Sequence, residues 1–210
     1  MNTSRHSLRI VGAVLFSVVL ATTAHATPIY NNLASPSEAD DSVQVLGPLA
    51  DSFSTGGSPF SLESITVLLS GDPATGGDFT LSLLADSATA PGAVLTTIGT
   101  LNDSVLSSLV LNVQFVLGSP FLLAPNTRYW VELSGSTTSA SWAWSFDQAA
   151  LGVAGEFLST SVTGVLPNVN GPYQMSVDGA LADTAVPEPG TLLLLGAGLV
   201  GLTRAARRRA

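Results

Sequence analysis

Leu109-Val110-Leu111-Asn112-Val113-Gln114-Phe115-Val116-Leu117 is the longest clean two-residue alternation in the chain. Leu109, Leu111, Val113, Phe115 and Leu117 fall on one side, and Asn112 and Gln114 on the other. Successive side chains of an extended chain point to opposite faces, so the run predicts a strand with one apolar face. Pro120 and Pro125 mark breaks beyond it, and Ala124-Pro125-Asn126-Thr127 predicts a turn.

Working outward, the same period recurs on both sides. Tyr129, Val131 and Leu133 alternate with Trp130 and Glu132, and Trp142, Trp144 and Phe146 alternate with small residues. Upstream, Ala93 to Leu101 reads as a strand, and Phe79, Leu81 and Leu83 face the core across an antiparallel partner. Leu62 to Ser70 is a strand with Ile65, Val67 and Leu69 on one face. Ser42 to Leu46 and Leu49 to Ser54 are short strands around Gly47-Pro48. Thr27 to Asp41 is an irregular lead-in. Tyr173, Met175 and Val177 form the last strand. Gly152 to Gly171, rich in Gly and Asn, shows no clear period. About nine strands result, with turn residues between them and no amphipathic helix to carry a parallel crossover. The expected fold is all-β: an antiparallel β-sandwich, jelly-roll-like, over residues 27–180.

Charge is sharply partitioned. The formal net charge is −8, yet six of the seven arginines lie near the ends, there is no lysine, and only Arg128 lies between residues 27 and 186. That body holds fourteen acidic residues against one arginine, a formal charge of −13. Such a surface repels nucleic acid, whose phosphates need Lys and Arg. It is compatible with loosely bound calcium. The chain has no cysteine, which excludes disulfides and thiolate chemistry. Both histidines, His6 and His25, precede the body. Ser-His-Asp catalysis and His-ligated zinc are therefore excluded from it.

The ends carry address labels. Arg5 and Arg9 precede an apolar run, Ile10 to Ala21, and Ala24-His25-Ala26 before Thr27 fits a signal-peptidase site. Residues 1–26 are thus expected to be a helical signal peptide read by the general secretion machinery, with a retained anchor as the alternative. Residues 181–186 form a linker. Val186-Pro187-Glu188-Pro189-Gly190 then opens a segment over 187–210. Its prolines hold Glu188 extended. Thr191 to Thr203 is uncharged and predicts a hydrophobic helix. Thirteen helical residues reach only about 20 Å, short of a bilayer core of about 30 Å. Arg204, Arg207, Arg208 and Arg209 follow as a cytoplasmic stop.

This order of parts resembles the PEP-CTERM sorting signal of exopolysaccharide-producing Gram-negative bacteria. The resemblance implies an inner-membrane tether through the C-terminal helix. It further implies recognition by an exosortase, cleavage near the Pro-Glu-Pro, and delivery to the cell surface or extracellular matrix. The body is similar to the choice-of-anchor R domain, an extracellular β-domain joined to various anchoring tails. That likeness rests on Asp51-Ser52-Phe53-Ser54-Thr55-Gly56, on Leu62 to Val67, on Phe79 to Asp86, on Ala90-Pro91-Gly92 and on Leu122 to Val131. Asn126 stands where such domains often have Gly, and Asn also tolerates the left-handed conformation.

Candidate chemistry is sparse. Glu63, Glu132, Asp147 and Glu156 are the carboxylates from which a histidine-free glycoside hydrolase would draw an acid and a nucleophile. Asp72, Asp78 and Asp86, and the pair Asp40-Asp41, lie where oxygen ligands could meet calcium, although no EF-hand pattern is present. Trp130 and Glu132, if outward, would make a sugar platform, as would Trp142 and Trp144. The favoured reading is burial, with Trp130 covered by a second layer or loop and Trp142 and Trp144 in the core. The expected protein is a non-catalytic surface or matrix component, structural or adhesive, with exopolysaccharide as its partner. A carbohydrate-binding module is the first rival and the hydrolase the second.

Overall fold

The computed structural model describes residues 26–88, 90–147, 153–161, 164–167 and 171–182. Twelve strands occur among the described residues. They are β1 (Thr27–Asn31), β2 (Ala39–Ser42), β3 (Leu49–Ser54), β4 (Phe60–Ser70), β5 (Asp78–Asp86), β6 (Pro91–Asn102), β7 (Leu111–Leu123), β8 (Arg128–Ser134), β9 (Ser141–Trp144), β10 (Val153–Ser161), β11 (Gly164–Pro167) and β12 (Met175–Leu181). One helical turn, α1 (Val43–Leu46), and a 3-10 turn at Asp103–Val105 complete the set.

The strands form two antiparallel six-stranded sheets. One runs β1-β12-β4-β9-β2, with β7 on the other side of β4. The second runs β11-β10-β3-β8-β5-β6. Only β5–β6 and β10–β11 pair as sequence neighbours. Nearly every other connection crosses from sheet to sheet, so partners lie far apart in sequence: Leu49 pairs with Leu133, and Thr27 with Gly179.

One core fills the space between the sheets. Leu62, Ile65, Val67 and Leu69 of β4 meet Phe79, Leu81 and Leu83 of β5 and Val131 and Leu133 of β8. Each is fully shielded from solvent, and each such side chain contributes about 1.5–3 kcal/mol of burial. Phe79 meets Phe115 edge to face, with ring centroids 6.1 Å apart. Asn126 adopts φ +50° in the turn before β8, the left-handed conformation its side chain tolerates.

Several local expectations are corrected. Val43–Leu46 is a helical turn, closed by the Gly47 N–H on the Val43 carbonyl at 2.9 Å, because a short apolar run has no decisive period. The lead-in is partly ordered as β1 and β2, and β2 reaches Ser42. Leu109 stands outside β7 and is exposed; its N–H is taken by the Ser107 hydroxyl. Pro120 lies inside β7, in a bulge where residues 117–120 oppose Glu63 alone. Phe146 is exposed beyond the end of β9. The expected signal-peptide helix and the hydrophobic helix over 191–203 lie outside the described residues. Among the described residues no helix is long and apolar enough to cross a membrane.

Candidate functional site

The strands that border the two labelled ends lie side by side. β1 begins at Thr27, directly after Ala26, and pairs antiparallel with β12, Thr27 opposite Gly179 and Asn31 opposite Ser176. The first strand residue after the expected cleavage site therefore lies beside the last strand before the tail. Ala26 and Thr27 are exposed. Ile29, Phe60 and Leu181 line one depression of about 300 Å³ there. Ala24, the motif Val186 to Gly190 and the arginines 204, 207, 208 and 209 lie outside the described residues.

The aromatic platform does not form. Trp130 does sit on the outer face of its sheet, as the alternation requires, but it is 0 % exposed. Its ring packs on Ala50, Leu84 and Ala90, and its indole N–H donates to Asp86 at 2.8 Å. Trp142 belongs to the core, stacked on Tyr173 at 4.9 Å, and donates to the Gln174 carbonyl at 3.0 Å. Trp144 is also in the core and meets Phe146 edge on. Glu132 is half-buried beside Trp130, and burial raises its pKa. Trp142 and Trp144 fill the two-sheet interior, where large aromatic rings bury much area, whereas Trp130 is covered on the outer face.

The carboxylates are scattered. Glu63 lies on β4 in one sheet and Glu132 on the outer face of β8 in the other. Asp147 is exposed past β9, and the Glu156 side chain lies outside the described residues. Asp86 is taken by Trp130, Asp78 accepts from Asn102, and Asp72 accepts from the Ala74 N–H in its own turn. Asp41 accepts from the Tyr173 hydroxyl at 2.7 Å, and Asp40 from the Ser70 hydroxyl. Among the described residues no three His, Cys, Asp or Glu side chains come together as metal ligands.

Two acids that sequence reasoning did not single out are the most deeply placed. Asp103 is 0 % exposed and fully used: it accepts from the Thr138 hydroxyl, from the Ser139 N–H at 2.9 Å and from the Gly77 N–H at 3.2 Å. It ties the β4–β5 loop to the β8–β9 loop. A Cβ at Gly77 would stand 2.2 Å from the Thr137 carbonyl oxygen, so the close approach requires glycine.

Asp51 is the opposite case. It points into the core between Leu49 and Phe53, is 1 % exposed, and neither carboxyl oxygen accepts a hydrogen bond of normal geometry. Burial raises its pKa well above 3.8, while the nearby backbone amides of Ser52 and Tyr173 pull less strongly the other way. The Tyr30 hydroxyl is likewise buried without a partner, and burial, then the Asp51 charge, raises its pKa. The signal was available: the period of Leu49-Ala50-Asp51-Ser52-Phe53 places Asp51 on the inward face.

A family model of the PEP-CTERM protein-sorting motif matches residues 185–209. No curated protein matches the chain. The motif marks an exported protein that is directed to an exosortase and is membrane-associated before processing.

Proposed function

We propose that this chain is a non-catalytic component of the cell surface or exopolysaccharide matrix of a Gram-negative bacterium, with a structural or adhesive role. The observation that carries the reading is the sorting motif at residues 185–209, which begins four residues after β12 ends. The body passes almost directly into its processing signal. The lack of histidine and cysteine between residues 27 and 186 adds support, because the commonest nucleophile and base pairs are missing. A body of choice-of-anchor R type belongs to the same proposal. In its favour, the residues that carry the likeness are distributed over β3, β4, β5 and β8 of one two-sheet core. With Trp130, Trp142 and Trp144 buried, the sugar-platform reading has no ring face to use. Deleting residues 187–210 tests the proposal: the exported body should leave the membrane fraction and become soluble. Unchanged membrane fractionation would contradict it.

A further inference from the structure

Residues 87–127 contain one charged side chain, Asp103, and it is fully buried. The rest of the body carries the remaining acidic residues. The uncharged segment is β6, the 3-10 turn and β7, and the two strands abut: a Cβ on Gly99 of β6 would lie 3.1 Å from the Phe115 ring of β7. Each is the last strand of its own sheet. The two strands that border one side of the sandwich therefore carry no exposed charge of their own, and each presents a long edge that no described strand pairs. Val94 and Leu95 of β6 and Val116 and Leu122 of β7 are exposed there.

Most of this border is blunted against pairing. The β5–β6 ladder shifts register three times, and the second half of β7 carries the bulge at 117–120 with Pro120 inside it. Leu111 to Val116 is different. Its ladder with β4 runs unbroken from Leu111 opposite Leu69 to Val116 opposite Ser64, and no described strand pairs with its outer edge. Asn112, Gln114 and Val116 are exposed along it.

We propose that this side is a self-association surface, occupied by a second copy of the chain with the Leu111–Val116 edge of β7 meeting its equivalent about a two-fold axis. Charge selects the occupant. Two bodies of formal charge −13 repel wherever their acidic faces approach within a Debye length of about 8 Å at physiological salt. The uncharged side is where two such bodies meet without that repulsion. A cationic partner would be drawn to the acidic faces instead. A two-fold makes the contact self-complementary: the unpaired N–H and C=O groups of one edge satisfy those of the other, and the flanking valines and leucines are covered.

The cysteine-free chain gives a clean test. Asn112→Cys and Gln114→Cys in the full exported chain, treated on intact cells with a short bifunctional thiol reagent, should give a species of twice the monomer mass. Thr75→Cys, in the exposed β4–β5 loop, should not. Adding Val116→Asp to Gln114→Cys should lower the dimer yield at least about tenfold with the circular dichroism spectrum unchanged, since Val116 is solvent-exposed. Equal yields at Thr75 and Gln114, no dimer at either edge position, crosslinking of Gln114→Cys only to other proteins, or a dimer that survives Val116→Asp would each overturn the proposal. None of these outcomes depends on whether the tail is processed.

Discussion

Asp51 is where single-residue chemistry bears hardest on this fold. A carboxyl group in an apolar interior that accepts no hydrogen bond of normal geometry is costly when charged, so burial raises its pKa in the folded chain. The unfolded chain releases the proton above about pH 3.9. Between that value and the raised folded value the native state binds one proton more than the unfolded state. Stability therefore falls as pH rises, by up to about 1.4 kcal/mol per unit from this group. Burial raises Glu132 and Asp178 in the same direction, with smaller effect because both are only half-buried. The urea midpoint of the mature chain should accordingly be higher at pH 5 than at pH 8. Asp51→Asn, which cannot ionise, should raise the midpoint at pH 8 and flatten its pH dependence. A wild-type midpoint that rises from pH 5 to pH 8 would contradict this assignment. At this scale the sequence was legible where alternation alone decides, as for Tyr129, Val131 and Leu133, and where a turn demands a left-handed residue, as at Asn126. For Trp130 the outward face and the presence of a cover were legible. The identity of that cover was not, because Ala90 and Asp86 lie forty or more residues away in the chain.

Among the elements, β12 has the greatest consequence for how the body is completed. It is the last described strand, yet it lies between β1 and β4 inside its sheet. Met175 and Val177 are fully buried, and Val177 pairs with Tyr30 on one side and Ile65 on the other. Removing it leaves β1 without a ladder and opens the core beside Asp51. A chain of residues 27–174 should lack a cooperative thermal transition and be cut rapidly by protease, whereas residues 27–182 should melt cooperatively. A cooperative transition in the shorter chain would show that β12 is dispensable. The period of Tyr173, Met175 and Val177 announced the strand, but not its central position. Pairing partners separated by more than a hundred residues leave no local mark on either partner. The same limit applies to Val43–Leu46, where four residues are too few to separate a strand from a helical turn. It applies also to β10 and β11, whose Gly-rich sequence carries no period.

For the whole molecule, the asymmetry of charge and hydropathy was legible from the outset, because it needs no pairing information. Cationic, apolar ends flank a body with fourteen acidic residues and one arginine. The fold adds that β1 and β12, the strands next to these ends in sequence, are adjacent in one sheet. The protein is membrane-associated before processing, and its sorting motif begins four residues after β12. The intact mass of the protein recovered from the surface of its native host tests this account most directly. The account predicts a single species that begins at Thr27, ends close to the Pro-Glu-Pro at 187–189, and falls well below the 21.4 kDa of the full sequence. A 21.4 kDa species still carrying residues 1–26 and 191–210 would contradict it.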